Sequence, residues 1–185
     1  IQWPQTPLNP PGRWQANRVA AALQNKNIGR IISSDDLRAR ETAEEIHRIT
    51  AAPVSIDVRL RERHFGRLRG TSWPPSWHQF DSDDLEPLDG ESQPVFRKRI
   101  TATWKPLEEN IGRAEGSIAI VTHGLVCRTL VHNHLTWTDQ SDPPRFSNTS
   151  IAVIGGATPW HVIQGPTDDH LKEDYQHATL RTHCP

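Results

Sequence analysis

His123 is the first residue whose position in the sequence suggests chemistry. It follows a short apolar run, Ile118 to Val121, which is typical of a strand buried on both faces in a parallel sheet. A helical period begins directly after Gly124, so the imidazole is predicted at the carboxyl end of a central strand and just before a helix N-terminus. Ligands bind at that end of open α/β sheets, and helix N-termini attract anions. The alternative is a buried imidazole that only hydrogen-bonds to the backbone.

Arg38 is the second candidate, because it falls in the first turn of a predicted helix that Ser34 or Asp35 would cap. A cation in the first turn opposes the helix macrodipole, so an anion bound nearby would explain it. The alternative is a surface arginine that pairs with Glu41 or Glu45. The inner face of this helix is predicted from residues at helical spacing, namely Ala39, Thr42, Ala43, Ile46 and Ile49.

Both side chains need a scaffold of alternating helices and strands. The chain of 185 residues is long enough for one domain with a real core and too short for two comfortable ones. The pattern predicts a helix from Pro10 to about Gln24 with Asn9 as its N-cap, a strand at 28–33, an edge strand at 54–58, a polar loop at 60–66, an insertion at 71–89, a helix after Ser92 that Pro106 bends or ends, and a hairpin with strands at 148–154 and 160–163.

The composition excludes several classes of partner. The net charge of −1 provides no general attraction to nucleic acid or anionic lipid. No apolar run approaches the length of a membrane span, and no secretory leader is visible. Two cysteines, Cys127 and Cys184, do not make a disulfide framework and fit a reducing compartment. We therefore expect a cytoplasmic protein that acts on a small molecule, without nucleic acid or membrane partners.

Several segments resemble landmarks of the histidine phosphatase superfamily, the phosphoglycerate-mutase-like fold, and they occur in the family's order. Residues 33–43 (SSDDLRARETA) are similar to its "SSxLxRAxxTA" segment. Residues 60–66 (LRERHFG) look like its acid-bearing loop, in the form closest to the mutase branch. The further matches are residues 90–92 (GES), 122–124 (THG) and 148–150 (NTS), together with residues 6–12 (TPLNPPG), which resemble "xPLTxxG" with asparagine in place of threonine.

This resemblance implies an α/β three-layer sandwich, in which helices cover both faces of a mostly parallel central sheet. It also implies hydrolysis of phosphomonoesters through a phosphohistidine intermediate. Arg38 would bind the phosphoryl oxygens, His123 would stabilise their charge, and Glu62 would be the general acid and then the general base. The backbone amides of Gly124 and Leu125 would add helix-terminus dipoles. No metal or other cofactor is implied, because side chains supply the positive charge.

One part of the family pattern is missing from the sequence. The family opens with a central strand that ends in Arg-His-Gly, and that histidine is the nucleophile. The sequence begins at Ile1, contains no methionine and does not carry this piece. We expect residues 1–185 to form a single domain that lacks the family's first strand and nucleophile loop. Without this strand, the central sheet would have a gap with unsatisfied backbone groups on both sides, which costs free energy. We therefore expect the working protein to have the segment. Residues 180–184 (LRTHC) faintly resemble the opening motif, which would imply a circular permutation. This alternative is less favoured, because no strand pattern precedes these residues.

The insertion at 71–89 bears on the substrate. It contains five acidic residues and no lysine or arginine, whereas the mutase insertion is longer and carries arginines that grip a second anionic group. Hydrolysis is therefore favoured over mutase action. Trp73 and Trp77 could stack on a sugar or a flat base of the substrate, and the alternative is that they pack the insertion onto the domain.

Three other functions remain open at this point. Without a nucleophile the chain would be a phosphate-binding pseudophosphatase, and the acid-bearing loop keeps a phosphoglycerate-mutase-type phosphotransferase in consideration. A metal-dependent hydrolase is disfavoured. The remaining candidates for metal ligands are His132, His134, His161 and His170. His132 and His134 are two residues apart on a predicted helix and point in different directions, so they cannot chelate one ion. Surface or tail positions explain the others.

Overall fold

Helices and strands alternate along the chain in the computed structural model, which describes residues 1–72, 85–111, 114–137, 145–156 and 158–172. Trp73, Trp77 and residues 180–184 lie outside the described residues. No helix in the described ranges is long and apolar enough to cross a membrane. The elements are α1 (Pro10–Leu23), β1 (Ile28–Ser33), α2 (Leu37–Thr50), β2 (Val54–Ile56), α3 (Gln93–Ile111), β3 (Ser117–Val121), α4 (Gly124–His134), β4 (Ile151–Gly155) and β5 (His161–Thr167), with single 3₁₀ turns at Val58–Leu60, Gly66–Leu68 and Asp169–Leu171.

A parallel sheet forms the middle of the fold, with the strand order β2-β1-β3. Strand β1 lies between the other two, and its last residue, Ser33, is opposite Ile56 on one side and Val121 on the other. The backbone N–H of Ser34 also donates to the carbonyl of Val121 over 2.9 Å. The carboxyl ends of β1 and β3 therefore lie side by side, and both lead into helices. The edge position predicted for the strand at 54–58 is confirmed, although β2 ends at Ile56.

Two hydrophobic cores lie on opposite faces of this sheet, because neighbouring side chains on a strand point to opposite sides. Ile31 packs with residues of α1 and α2, among them Ala20 and Ile46. Ile32, one residue later, packs on the other side with Phe96 of α3 and Val126 of α4. The predicted layering of helices on both faces of the sheet is confirmed.

The sheet is described in two pieces. Strands β4 and β5 form a separate antiparallel pair, and in the described ranges β3 pairs only with β1. Ile151 of β4 nevertheless packs in the same core as Ala119 and Val121 of β3. The antiparallel pair thus lies next to the β3 side of the parallel sheet, with no hydrogen bond to it among the residues that the structure describes.

Local boundaries show where the sequence patterns were right and wrong. Asn9 caps α1 as predicted, since its side chain accepts from the backbone N–H of Gly12. The N-cap of α2 is Asp36, not Ser34 or Asp35. The prediction that Pro106 bends or ends its helix was wrong about an end, because α3 continues for five residues beyond it to Ile111. Buried Leu107 follows directly, and packing of this face outweighs the loss of one backbone hydrogen bond.

The packing of α3 gives a first prediction. Ile100 is fully buried in the core beneath the acid-bearing loop, whereas Val95 on the same helix is exposed. We expect Ile100→Ala to lower the free energy of unfolding by about 2–5 kcal/mol, because it removes buried methylenes and leaves a cavity. The matched control Val95→Ala should change it by less than about 0.5 kcal/mol. Denaturant unfolding monitored by circular dichroism measures both, and equal losses would contradict the described packing of α3.

Candidate active site

His123 lies at the junction between β3 and α4, with extended backbone angles and little exposed surface. Its Nδ1 atom is 3.1 Å from the Nη2 atom of Arg38, and its Nε2 atom is 3.0 Å from the hydroxyl oxygen of Ser34. A guanidinium can only donate, so Nδ1 must accept and the proton of the neutral ring lies on Nε2. The alternative of a buried imidazole that hydrogen-bonds only to the backbone does not describe this residue.

The acidity of His123 follows from this setting. Burial, and after it the charge of Arg38, lower the pKa of His123 to about 3. The ring is therefore a neutral hydrogen-bonding group when only Arg38, Ser34 and Asp36 surround it. An anion placed against the ring would favour the charged form again.

Arg38 occupies the first turn of α2, and its side chain turns toward His123 rather than along the helix surface. It also donates to the carbonyl oxygen of Trp3 over 3.3 Å. The predicted alternative, a pair with Glu41 or Glu45, is wrong in this structure. Glu41 accepts from the backbone N–H of Leu8, and Glu45 accepts from neighbouring side chains on α1 and α2.

Glu62 belongs to the loop that follows the 3₁₀ turn Val58–Leu60, and it is partly buried. Its Oε1 atom accepts from the backbone N–H of Arg63 over 3.0 Å, and its carboxylate also accepts from the backbone N–H of Leu125. Burial raises the pKa of Glu62 to about 7, while these hydrogen bonds and the charge of Arg38 act in the opposite direction. A carboxyl group whose pKa is near 7 can both donate and accept a proton at physiological pH.

The two amides predicted for the phosphate therefore differ. The N–H of Leu125 is bonded to the carboxylate of Glu62, and its contact with phosphate stays a prediction. The N–H of Gly124, at the first position of α4, remains the candidate for contact with an anion.

Cys127 of α4 is close enough to Glu62 for the pKa of its thiol to be affected. Burial and the Glu62 charge raise the pKa of the thiol to about 12, so it is no nucleophile.

A scaffold of arginines holds the loop that carries Glu62. Arg99 of α3 donates to the carbonyls of Arg59 and Arg61 over 2.6 and 2.9 Å, and it binds both oxygens of Glu91 at 2.8 Å. Arg63 is fully buried and donates to the carbonyl of Glu91. The Glu91 carboxylate, in turn, accepts from the backbone N–H of His64. The family-like segments at 60–66 and 90–92 are thus one hydrogen-bonded unit.

Two glycines allow these segments to approach. Gly66 has a φ of +50°, and a Cβ placed there would lie 2.0 Å from the carbonyl oxygen of Leu88. A Cβ at Gly90 would lie 2.6 Å from the carbonyl oxygen of His64. Any larger residue would separate the two segments of this unit and move Glu62 with them.

Two neighbours of the site were not identified from the sequence as functional residues. Ser34 is fully buried and meets His123, and Asp36 places its Oδ2 atom 3.2 Å from Arg38 and 3.3 Å from the Nε2 atom of His123. Burial raises the pKa of Asp36, and the charge of Arg38 opposes that shift. An aspartate two residues before a candidate phosphate-binding arginine was the available signal, but the same pattern describes an ordinary helix cap.

The other histidines are occupied in different ways. The ring of His134 stacks on Trp104 at 5.4 Å, His132 contacts Asn133, and His170 meets Thr149. In the part of the chain that is described, no three His, Cys, Asp or Glu side chains come together as a metal-binding group.

The comparisons with known proteins point in one direction. The sequence profile of the histidine phosphatase superfamily (branch 1) matches residues 1–173. The chain is 32% identical over 142 residues to the glucosyl-3-phosphoglycerate phosphatase of Mycobacterium tuberculosis, which is 76% of this chain and 56% of that protein. It is 31% identical over 162 residues to the probable phosphoglycerate mutase GpmB of Escherichia coli, which is 80% of this chain and 73% of that protein.

Solved structures agree with the sequence relatives. The fold is similar to that of YhfR from Bacillus stearothermophilus, with a TM-score of 0.75 and 27% identity over 93% of this chain and 91% of that one. The chain spans little more than half the length of the mycobacterial phosphatase and smaller shares of some other curated relatives.

The environment of His123 gives the second prediction. Its folded pKa of about 3 lies below the ordinary value of 6.5, so the unfolded chain binds the extra proton. The neutral His123 ring therefore makes its full contribution to the free energy of unfolding above pH 6.5. This contribution is lost as the pH falls toward 3, by up to about 1.4 kcal/mol for each pH unit. We expect the ¹⁵N resonances of the His123 ring to report a neutral Nε2–H tautomer at about pH 5. A charged ring at that pH would contradict the buried Arg38 contact.

Proposed function

Because the chain belongs to the histidine phosphatase superfamily, we propose that it hydrolyses the phosphomonoesters of small metabolites through a phosphohistidine intermediate. The observation that carries this proposal is the meeting of Arg38 and His123 beside Glu62, a carboxyl group with a pKa of about 7. A cation and a hydrogen-bond donor suit a phosphoryl group, and a carboxyl that titrates near neutrality suits proton transfer to and from oxygen.

Binding would begin at the Arg38 guanidinium. Its Nη2 atom now donates to His123 and Asp36, and phosphoryl oxygens would accept from the same planar group. A dianionic phosphoryl group next to His123 would also favour the imidazolium, which could then donate to a phosphoryl oxygen. The N–H of Gly124 would add the positive end of α4.

Glu62 would serve both halves of the reaction. As the nucleophilic histidine forms the N–P bond, the P–O bond to the leaving alcohol breaks, and Glu62 supplies the proton that this oxygen needs. The resulting carboxylate would then take a proton from water as the water oxygen attacks phosphorus. This second step breaks the N–P bond, releases inorganic phosphate and restores the neutral Glu62.

We propose that the nucleophilic histidine lies on the family's opening strand, which residues 1–185 do not carry. This strand would occupy the space between β3 and β4. This position is supported by the missing hydrogen bonds between these two strands in the described ranges and by the packing of Ile151 near β3. A parallel strand there would satisfy both edges. Its carboxyl end would emerge beside the end of β3, where His123 and Arg38 lie.

Hydrolysis is proposed rather than mutase action because residues 71–89 contain no lysine or arginine. Similar proteins of both kinds exist, since one is named a glucosyl-3-phosphoglycerate phosphatase and another a probable phosphoglycerate mutase. Trp73 and Trp77 remain proposed contacts for the organic part of the substrate. We also propose that the protein is cytoplasmic and needs no metal ion.

One observation favours a second candidate function. Asp36 already neutralises Arg38 in this structure, as would be expected of a pseudophosphatase that binds phosphate weakly and transfers nothing. Incubation with a ³²P-labelled monoester separates the two functions. Acid-labile labelling of a histidine supports the phosphatase, and the absence of both label and phosphate release supports the pseudophosphatase. Exchange of label between phosphoglycerates would instead favour the mutase.

Glu62 generates the third prediction. We expect Glu62→Gln to lower kcat on an alkyl phosphate by about 10²–10⁴-fold, because the leaving alkoxide loses its proton donor. With an activated aryl phosphate, whose leaving group needs no proton, the first step should persist and the phosphohistidine should accumulate. Rapid-quench kinetics measure both effects. Glu86→Gln, at an exposed carboxylate, is the matched control, and an equal loss in the rate of the first step on both substrates would contradict the general-acid role.

Arg38 generates the fourth prediction. We expect Arg38→Ala to raise the Kd of inorganic phosphate by about 10–100-fold, because charge-assisted hydrogen bonds are lost. Arg40→Ala is the control on the same helix, since Arg40 is exposed and lies 3.8 Å from Glu44. Isothermal titration calorimetry measures both variants. Unchanged affinity in Arg38→Ala would remove this residue from the phosphoryl site.

A further inference from the structure

Asp36 occupies the N-cap position of α2, yet its side chain does not cap the helix. The carboxylate accepts no hydrogen bond from the amides of the first turn and contacts Arg38 and His123 instead. A capping aspartate contributes about 1 kcal/mol to a helix, and this contribution is given up here. The carboxylate therefore belongs to the candidate site rather than to the helix.

The second oxygen of this carboxylate is also unusual. Asp36 is only 4% exposed, and its Oδ1 atom is buried without a hydrogen-bond partner among the described residues. Burying an unpaired acceptor costs about 1–3 kcal/mol, and more when it is charged. A proton on Oδ1 would lower this cost, because the neutral acid needs less solvation than the carboxylate.

The motif indicates that the carboxylate is not needed to build this turn. Residues 33–43 follow the pattern "SSxLxRAxxTA", in which Asp36 stands at the position of leucine. Asp36 is thus a departure from the pattern that residues 33–43 otherwise resemble.

On the basis of the proposed function, we propose that Asp36 makes the phosphoryl site take up a proton as it binds its ligand. In the empty site the carboxylate holds Arg38 and His123. A phosphoryl group competes for the same two donors, so both anions would share one guanidinium. Transfer of a proton from solvent to Oδ1 of Asp36 removes that conflict and releases Arg38 to the phosphoryl oxygens.

The charged groups around Asp36 come from every element near it. Arg38 on α2 and the cations Arg61 and Arg69 of the acid-loop region favour the carboxylate, whereas Asp35 disfavours it. The charge of Asp36 is also felt by Glu62. Glu62 and His123 can take up protons as well, so the contribution of Asp36 must be measured as a difference between proteins that retain both of those residues.

The fifth prediction is therefore a comparison of wild type with Asp36→Asn, which keeps the shape and removes the charge. Inorganic phosphate is titrated calorimetrically into each protein from about pH 5 to about pH 8, in buffers of different ionisation enthalpy. We expect the variant to bind phosphate about tenfold more tightly near pH 8 and equally near pH 5, and to take up about one proton fewer on binding. A purely structural role for Asp36 would weaken binding at every pH.

Asp35→Asn is the matched control. The Asp35 carboxylate is ion-paired with Arg61, which lowers its pKa, so this substitution should leave the proton uptake unchanged. Asp36→Ser, whose hydroxyl can cap α2, replaces the asparagine variant if that variant misfolds. Equal proton uptake in wild type and variant, or weaker binding by the variant near pH 8, overturns the role of Asp36 alone. Failure of wild type to bind phosphate at any pH overturns this role together with the proposed function.

Discussion

The hydrogen bond between Arg38 and His123 depends on one constraint, which is the parallel pairing of β1 with β3. That register sets Ser33 opposite Val121 and brings the two following turns together. Arg38, five residues after Ser33, and His123, two residues after Val121, then meet within 3.1 Å. A slip of the register by one residue would move both cores to the wrong faces, so hydrophobic burial fixes the geometry of the site. Stability and the proposed chemistry therefore rest on the same strand pair.

The elements that could be predicted from the sequence are those with strong local signals. The strand before His123 and the helix behind it follow from apolar periodicity, and Asn9 with Pro10 defines the start of α1. Arg38 was identified because a cation in a first helical turn needs an explanation. Glu62 could be found only through family resemblance, since nothing in a polar loop shows which carboxyl will be buried.

Long-range contacts account for what the sequence patterns did not predict. Asp36 looks like any helix cap until β3 brings His123 beside it. The amide of Leu125 is bonded to the carboxylate of Glu62, a residue distant in sequence, and spacing alone does not reveal this contact. Pro106 was expected to bend or end α3, but buried residues on either side of it, Thr103 and Leu107, keep the helix in place. In each case a local preference is overridden by a neighbour that sequence spacing does not reveal.

The close contact of Gly66 and Gly90 with each other's segments has a consequence for how such proteins diversify. The chain enters and leaves the insertion through a closed base, tied by Arg63, Arg99 and Glu91. Residues beyond that base can change in length and character without shifting the carboxyl of Glu62. The insertion can therefore vary as an exchangeable module, while the loop that carries Glu62 keeps its place.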